Sequence, residues 1–252
     1  MSYVSNPACR VSNGSFGLAI VRNIGTPEAP EFDNGFKVYR APDEQLWVTG
    51  DFGAKYGIEF IVPQYGRFKA VTAVDGRNIL TGAVSSGSAS EGAWIISHPG
   101  SRGSNIVPGW KQPGNNSVAA FVLAQPEHSY AVLTGSDESA VGVIAVQYYH
   151  EARQSHFRQP FETLTRGGVT RSAGMGTGYG ADTQFSSSTT QFVPDYSVRP
   201  VRLVIRIAQE AELQAAGCVL VHPSVAIPGA NADPFPGNSP GVIPPSGPNP
   251  HR

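Results

Sequence analysis

The chain has 252 residues, 40% of them hydrophobic and only 15% charged, and its formal net charge is −1 from 18 basic and 19 acidic residues. This length is sufficient for a hydrophobic core without support from disulfides or metals. The balanced charge excludes a basic field that would attract nucleic acid or anionic lipid at long range, so we expect neither nucleic acid nor a membrane as a partner.

The N-terminal sequence MSYVSNPACRV has neither a basic leader nor an apolar stretch, which predicts that no signal peptide is present. We therefore expect synthesis in the bacterial cytoplasm. Cys9 and Cys218 lie far apart and have no metal-ligand spacing. They are interpreted as reduced thiols, with a disulfide between the two ends of the chain as the alternative.

Residues 1–35 contain the turn signals SNGSFG and DNG and an extended TPEAPEF stretch. This composition predicts an extended N-terminal arm rather than a core element.

From Phe36 onwards the pattern is that of β-strands. In KYGIEFIV, the residues Tyr56, Ile58 and Phe60 alternate with more polar ones, and RFKAVTAV continues the pattern after a turn. Val141–Tyr149 is the longest apolar run and is typical of a central strand buried on both faces. These features predict an all-β fold, a single β-sandwich or jelly-roll-like domain over residues 36–222.

The later part of the chain divides into four predicted segments. Residues 150–200 form a polar excursion from the sandwich, and Val201–Ala208 is an alternating strand with Arg202 and Arg206 outside. The stretch QEAELQAAG predicts a short helix that ends at Gly217. Residues 223–252 contain nine prolines and four glycines, which predicts an extended or unstructured tail.

Asp75 and Gly76 join two strand-like runs. Asp-Gly is the usual pair of a two-residue hairpin, and no second carboxylate or histidine lies near it in sequence. We therefore interpret Asp75 as a turn residue and not as a catalytic acid. The Gly-rich stretch GMGTGYG, residues 174–180, lacks the preceding strand and following helix of a phosphate-binding loop, and we interpret it as a flexible or sharply turning loop.

No catalytic or metal-binding constellation is evident. His150 and His156 are six positions apart, a spacing that suits a metal site on neither a helix nor a strand. We predict no enzyme activity, no metal and no cofactor. An enzyme with a hidden site around His150, Glu162 and Arg166 stays open as an alternative, as does polysaccharide binding by ring stacking on Trp94 and Trp110.

The order of several short motifs resembles a family of uncharacterised bacterial proteins, some of them encoded by prophages. The series runs VDGRNIL, GAWIISHPG, IVPGW, VAAFVLAQPEHSYA, VGVIAVQYYHEA, GTGYG and RPVRLVIRIAQEAELQAAG, and covers about residues 36–217. The resemblance supplies no catalytic residues; its turns, glycines and aromatic residues imply a maintained scaffold.

We predict a structural protein of a large assembly, located in a phage or phage-like virion as a capsid decoration, vertex or head-fibre-base protein. The expected partners are other structural proteins of the same particle and further copies of this chain, bound through the terminal segments. The expected apolar anchors are Phe16, Phe32, Phe235 and Ile243.

Overall fold

The structure is a computed structural model. It describes residues 10–26, 29–63, 65–97, 105–112, 117–135, 138–152, 175–184 and 190–221. The described residues form two eight-stranded sheets. In chain order the strands are β1 (Arg10–Asn13), β2 (Phe16–Asn23), β3 (Phe32–Asp33), β4 (Lys37–Arg40), β5 (Leu46–Thr49), β6 (Lys55–Ile61), β7 (Arg67–Val74), β8 (Arg77–Asn78), β9 (Trp94–Ser97), β10 (Ile106–Val107), β11 (Gly109–Lys111), β12 (Ser117–Ala124), β13 (Val143–His150), β14 (Gly176–Gln184), β15 (Val201–Ile207) and β16 (Val219–Val221).

Two short helices accompany the sheets: α1 (Tyr130–Leu133) and α2 (Glu210–Ala215). Single 3-10 turns occupy Pro126–His128 and Glu138–Ala140. Among the described residues, neither helix has the length of a membrane-spanning segment.

The first sheet is built around β12. On one side β12 pairs with β14, and on the other it pairs with β11 and β6. From β6 the sheet continues to β2 and then β1, while β3 adds to β2 and β10 adds to β6. β14 therefore forms one outer strand of this sheet among the described residues.

The second sheet has the order β16-β4-β5-β15-β13-β7-β8, and β9 also pairs with β7. β13 lies between β15 and β7 and is antiparallel to both, so the predicted central position is confirmed. Burial on both faces is only partial, because Val143, Ala145 and Gln147 on the outer face are half-buried. β15 and β5 run parallel.

The core lies between the two sheets and follows the predicted alternation. In β6 the side chains of Tyr56, Ile58 and Phe60 are all buried, and β13 contributes Ile144, Val146 and Tyr148 from the opposite side. The Tyr148 hydroxyl donates a hydrogen bond to the carbonyl of Gly17 at 2.7 Å, which joins the second sheet to the first. The predicted all-β sandwich is confirmed.

The predicted N-terminal arm is wrong over residues 10–23. These residues form the hairpin of β1 and β2, and β2 pairs with β6 along most of its length. The turn signal SNGSFG contains the hairpin turn at Gly14 and Ser15, with Gly14 at φ 60°. The apolar run that follows it, FGLAIV, is buried as a strand of the sandwich.

The prediction of a loop at GMGTGYG is also wrong, because Gly176–Gln184 is strand β14. A Cβ at Gly176 would lie 2.6 Å from Ser129 Cβ, and a Cβ at Gly180 would lie 2.6 Å from Val122 Cγ2. These glycines therefore permit close packing of a strand and do not serve as hinges. Of the remaining excursion, the structure describes residues 150–152 and 190–200.

The predicted C-terminal helix is confirmed as α2. The Glu212 carboxylate accepts a hydrogen bond from the backbone N–H of Gln209 at 3.2 Å, which satisfies one free donor of the first turn. Gly217 follows the helix at φ 73°, a left-handed conformation that favours glycine. The compact unit that contains both sheets ends at Val221, next to the predicted boundary at residue 222.

Candidate functional site

Asp75 occupies the tight turn between β7 and β8. Its φ is 49° and that of Gly76 is 78°, so both central residues of the turn are left-handed, as the Asp-Gly pair predicts. The backbone N–H of Asp75 donates to the carbonyl of Val143 at 2.9 Å. The interpretation of Asp75 as a turn residue is confirmed.

The sequence did not indicate that the Asp75 side chain is buried, with an exposed fraction of 0%. Its Oδ1 accepts a hydrogen bond from the Gly142 N–H at 2.8 Å, and its Oδ2 accepts one from the Thr177 N–H at 2.6 Å. Thr177 Oγ1 in turn lies 2.7 Å from the hydroxyl of Tyr56. One carboxyl group thus joins the β7–β8 turn to the start of β13 and to β14.

Burial raises the pKa values of both Asp75 and Tyr56, which lie where the β7–β8 turn meets β14. It raises the pKa of Asp75 to about 7, against the lowering effect of the hydrogen bonds from Thr177 and Gly142. The pKa of the Tyr56 phenol is raised well above its ordinary value by burial and, secondarily, by the charge of Asp75. A carboxylic acid with a pKa near neutrality resembles a general acid or base.

The surroundings of Asp75 give it a structural role instead. Both of its oxygens are engaged by main-chain donors of its own fold, and the side chain has no contact with solvent. A general acid or base must lie within hydrogen-bond reach of its substrate. In this arrangement Asp75 can hold three chain segments together, and it can exchange a proton only when that packing opens.

Trp110 packs among three other aromatic rings, one of which is Tyr179 of β14. The Trp110 ring lies 5.0 Å from that of Tyr130, 5.5 Å from Phe121 and 5.9 Å from Tyr179, measured between centroids. Tyr179 and Tyr130 meet edge to face at 4.5 Å. Of these rings, Tyr179 is exposed and Trp110 is only 2% exposed.

The burial of Trp110 corrects its predicted role in glycan binding. Sugar stacking requires an open ring face, and Trp110 is covered by its own aromatic neighbours. Trp94 lies in β9 and packs half-buried against the core. The guanidinium of Arg77 lies over the Tyr130 ring, but its N–H groups donate to the carbonyls of Gly82 and Thr134.

Of the four predicted partner anchors, the structure describes Phe16 and Phe32. Phe16 is a correction: it is 6% exposed and its ring packs against Phe68 and Tyr148 of the opposite sheet, so it belongs to the core of its own chain. Phe32 is half-buried in β3, where its ring fills the space above Gly57. Phe235 and Ile243 lie outside the described residues.

A different apolar surface is present on residues 190–198, which we call the outer segment. Phe192 anchors it to Val71 and Tyr149 on the outer face of the second sheet. Backbone hydrogen bonds of 2.8 Å join Ala152 N to Val193 O and Asp195 N to His150 O. The outer segment nevertheless exposes the side chains of Val193, Tyr196 and Val198.

The structure describes only some of the remaining candidate groups. His150 lies edge-on to the rings of Phe16 and Phe68, whereas Glu162 and Arg166 are outside the described residues. Cys218 has a free thiol next to α2, and Cys9 is outside the described residues. Among the residues described, no group of three or more His, Cys, Asp or Glu side chains is arranged to hold a metal ion.

Comparison of the chain with protein-family models, with curated proteins and with solved structures gives no match. The resemblance to prophage-encoded proteins therefore stays a prediction.

Proposed function

We propose that this chain is a structural component of a large assembly, a phage or phage-like virion, in which it binds neighbouring structural proteins and further copies of itself. The observation that carries the proposal is the outer segment. Val193 is 59% exposed and Tyr196 is 55% exposed, although the backbone that presents them is fixed to the sheet.

A fixed apolar surface is suited to association. A segment that is already ordered loses little conformational entropy on binding, so its apolar contacts are retained as affinity. Exposed Tyr and Val side chains contribute area that is removed from water at an interface. The low charge density of the chain and its proline-rich C-terminal sequence support the same function.

The outer segment adds to the terminal segments as a candidate interface. The sequence predicted contacts through Phe235 and Ile243, and deletion of residues 223–252 is expected to abolish incorporation into particles. The outer segment predicts a second, independent loss when its apolar side chains are replaced. Val193→Asp and Tyr196→Asp are the direct tests, because each places a charge on the proposed contact surface.

The matched control is Val219→Asp. Val219 is 68% exposed and lies in β16, at the far edge of the second sheet from β7 and β13. Particles from cells that express each variant would be purified and their protein content measured by mass spectrometry. We expect Val193→Asp to be depleted at least tenfold and Val219→Asp to be incorporated normally. Incorporation of Val193→Asp and Tyr196→Asp at the wild-type level would contradict the proposed interface.

A further inference from the structure

β14 is attached to the sandwich by its pairing with β12 and by the side chains of Thr177 and Tyr179. Three of its residues are glycines, and among the described strands it pairs only with β12. Its bond to the second sheet passes through Thr177, whose backbone N–H is held by Asp75 at 2.6 Å. The state of the Asp75 carboxyl therefore acts directly on the attachment of β14.

The position of Asp75 disfavours the ionised form of its carboxyl group. The side chain has no access to water, and its described hydrogen-bond donors are neutral main-chain amides rather than cations. An ionised carboxylate in such surroundings lacks both hydration and a compensating charge. Displacement of β14 would expose Asp75 to water, where the ionised form is favoured again.

We propose that the Asp75 carboxyl is a proton-dependent latch, which holds β14 on the sandwich while it is neutral and releases β14 when it loses its proton to water. The latch needs no covalent change and no ligand. Acidification closes it, and a rise in pH opens it. The inference does not depend on the proposed role in a virion.

The direction follows from linkage. Asp75 has a pKa of about 7 in the closed fold, and its ordinary value, expected when β14 is displaced, is 3.8. A group whose pKa is raised in the closed state favours closure fully at low pH, and this contribution is lost as the pH rises towards the closed-state pKa. For these two values, the equilibrium constant for opening should increase about 30-fold between about pH 5.5 and about pH 8.

Other titratable groups around the junction do not share this behaviour. Tyr56 on β6 and Tyr179 on β14 have pKa values raised by burial, so both phenols stay neutral over this range. The Arg77 guanidinium on β8 donates its hydrogen bonds to the carbonyls of Gly82 and Thr134. His128, exposed in the 3-10 turn before α1, belongs to the residue type that changes charge near neutral pH, so it requires a control.

Hydrogen exchange with mass spectrometry on the whole protein tests the latch. Peptides that cover residues 175–184 would be followed at about pH 5.5 and about pH 8, with rates corrected for the intrinsic pH dependence of exchange. We expect the protection of β14 to fall about 30-fold at the higher pH, as worked out above. Peptides from β13 and β15, in the middle of the second sheet, should keep their protection.

Two variants assign the effect to Asp75. Asp75→Asn cannot ionise, and asparagine tolerates the left-handed turn, so β14 should lose its pH dependence. His128→Gln should retain the wild-type dependence. The proposal is overturned if wild-type β14 is equally protected at both pH values, or if Asp75→Asn responds to pH as the wild type does. The wild-type measurement decides the question even if Asp75→Asn fails to fold.

Discussion

Replacement of Gly176 by alanine should destabilise the protein through a steric conflict in β14. The added Cβ would lie 2.6 Å from Ser129 Cβ and 2.8 Å from Val141 Cγ1. Carbon atoms pack without repulsion at about 3.5 Å or more, so the neighbours would have to separate by about 0.7–0.9 Å. Ser129 cannot yield easily, because its hydroxyl caps α1 through the N–H of Val132.

The magnitude can be estimated from two opposing terms. Overpacking in a core costs about 1–3 kcal/mol, and the short distance to a fixed serine places Gly176→Ala in the upper part of that range. Alanine also restricts the unfolded chain relative to glycine, which returns about 0.4–1 kcal/mol. The expected net loss in the free energy of unfolding is therefore about 2 kcal/mol.

Gly178 is the matched control in the same strand. Its added Cβ would lie 3.1 Å from the Cβ of Ala124, a contact that a small adjustment relieves. We expect Gly178→Ala to be within about 0.5 kcal/mol of the wild type, because the mild contact and the entropy gain nearly cancel. Urea unfolding followed by tryptophan fluorescence should show a midpoint about 1 M lower for Gly176→Ala, given a slope of about 2 kcal/mol per M.

The result that would refute this reasoning is equal stability of the two variants. If Gly176→Ala unfolds at the wild-type midpoint, the close packing of β14 is wrong and GTGYG behaves as the loop that the sequence suggested. If Gly178→Ala loses as much as Gly176→Ala, glycine is required in this strand for a reason other than the measured distances.

Three further predictions address other contacts. Tyr148→Phe should lower the free energy of unfolding by about 0.5–1.5 kcal/mol, because it removes the hydrogen bond that the buried hydroxyl donates to the carbonyl of Gly17; an unchanged thermal midpoint would contradict this. Gly217→Ala should lower the free energy of unfolding by about 1–2 kcal/mol, because φ is 73° at this position. No atom lies within 4 Å of the new Cβ, so the loss measured by calorimetry would report backbone strain alone. Glu91 is partly buried, but hydrogen bonds from the serine-rich loop around Ser86 lower its pKa. Its stabilising contribution should therefore be present at neutral pH and lost on acidification below the ordinary value, so proteolysis within residues 84–92 should accelerate in acid, and Glu91→Gln should be cleaved faster already at neutral pH.

The predictions that succeeded rest on local patterns. In β6 and β7, apolar side chains recur at every second position because successive side chains of a strand point to opposite faces. The apolar run of β13 is likewise visible within a few residues of sequence. The turn at Asp75 and the end of α2 at Gly217 depend on the φ of single residues. These constraints act over a few positions and can be recognised without knowledge of the remaining chain.

The predictions that failed depend on distant partners. The two amides that hold the Asp75 carboxyl lie 67 and 102 positions away, and no local pattern indicates that they meet. The glycines of β14 were interpreted as signs of a loop because glycine is permissive, whereas the structure requires them for their missing side chain. A glycine at every second position, as at residues 176, 178 and 180, is the sequence signal that suggests a closely packed strand.

Two neighbouring residues of the outer segment, Phe192 and Val193, have different roles. Phe192 is directed into the second sheet and stabilises the monomer, while its neighbour Val193 is directed outwards and contributes little to that stability. Val193→Asp should therefore leave the free energy of unfolding within about 0.5 kcal/mol of the wild type, as for ordinary surface substitutions. A variant that folds with unchanged stability yet fails to associate would show that these side chains contribute to an interface, because a packing defect would lower both quantities together.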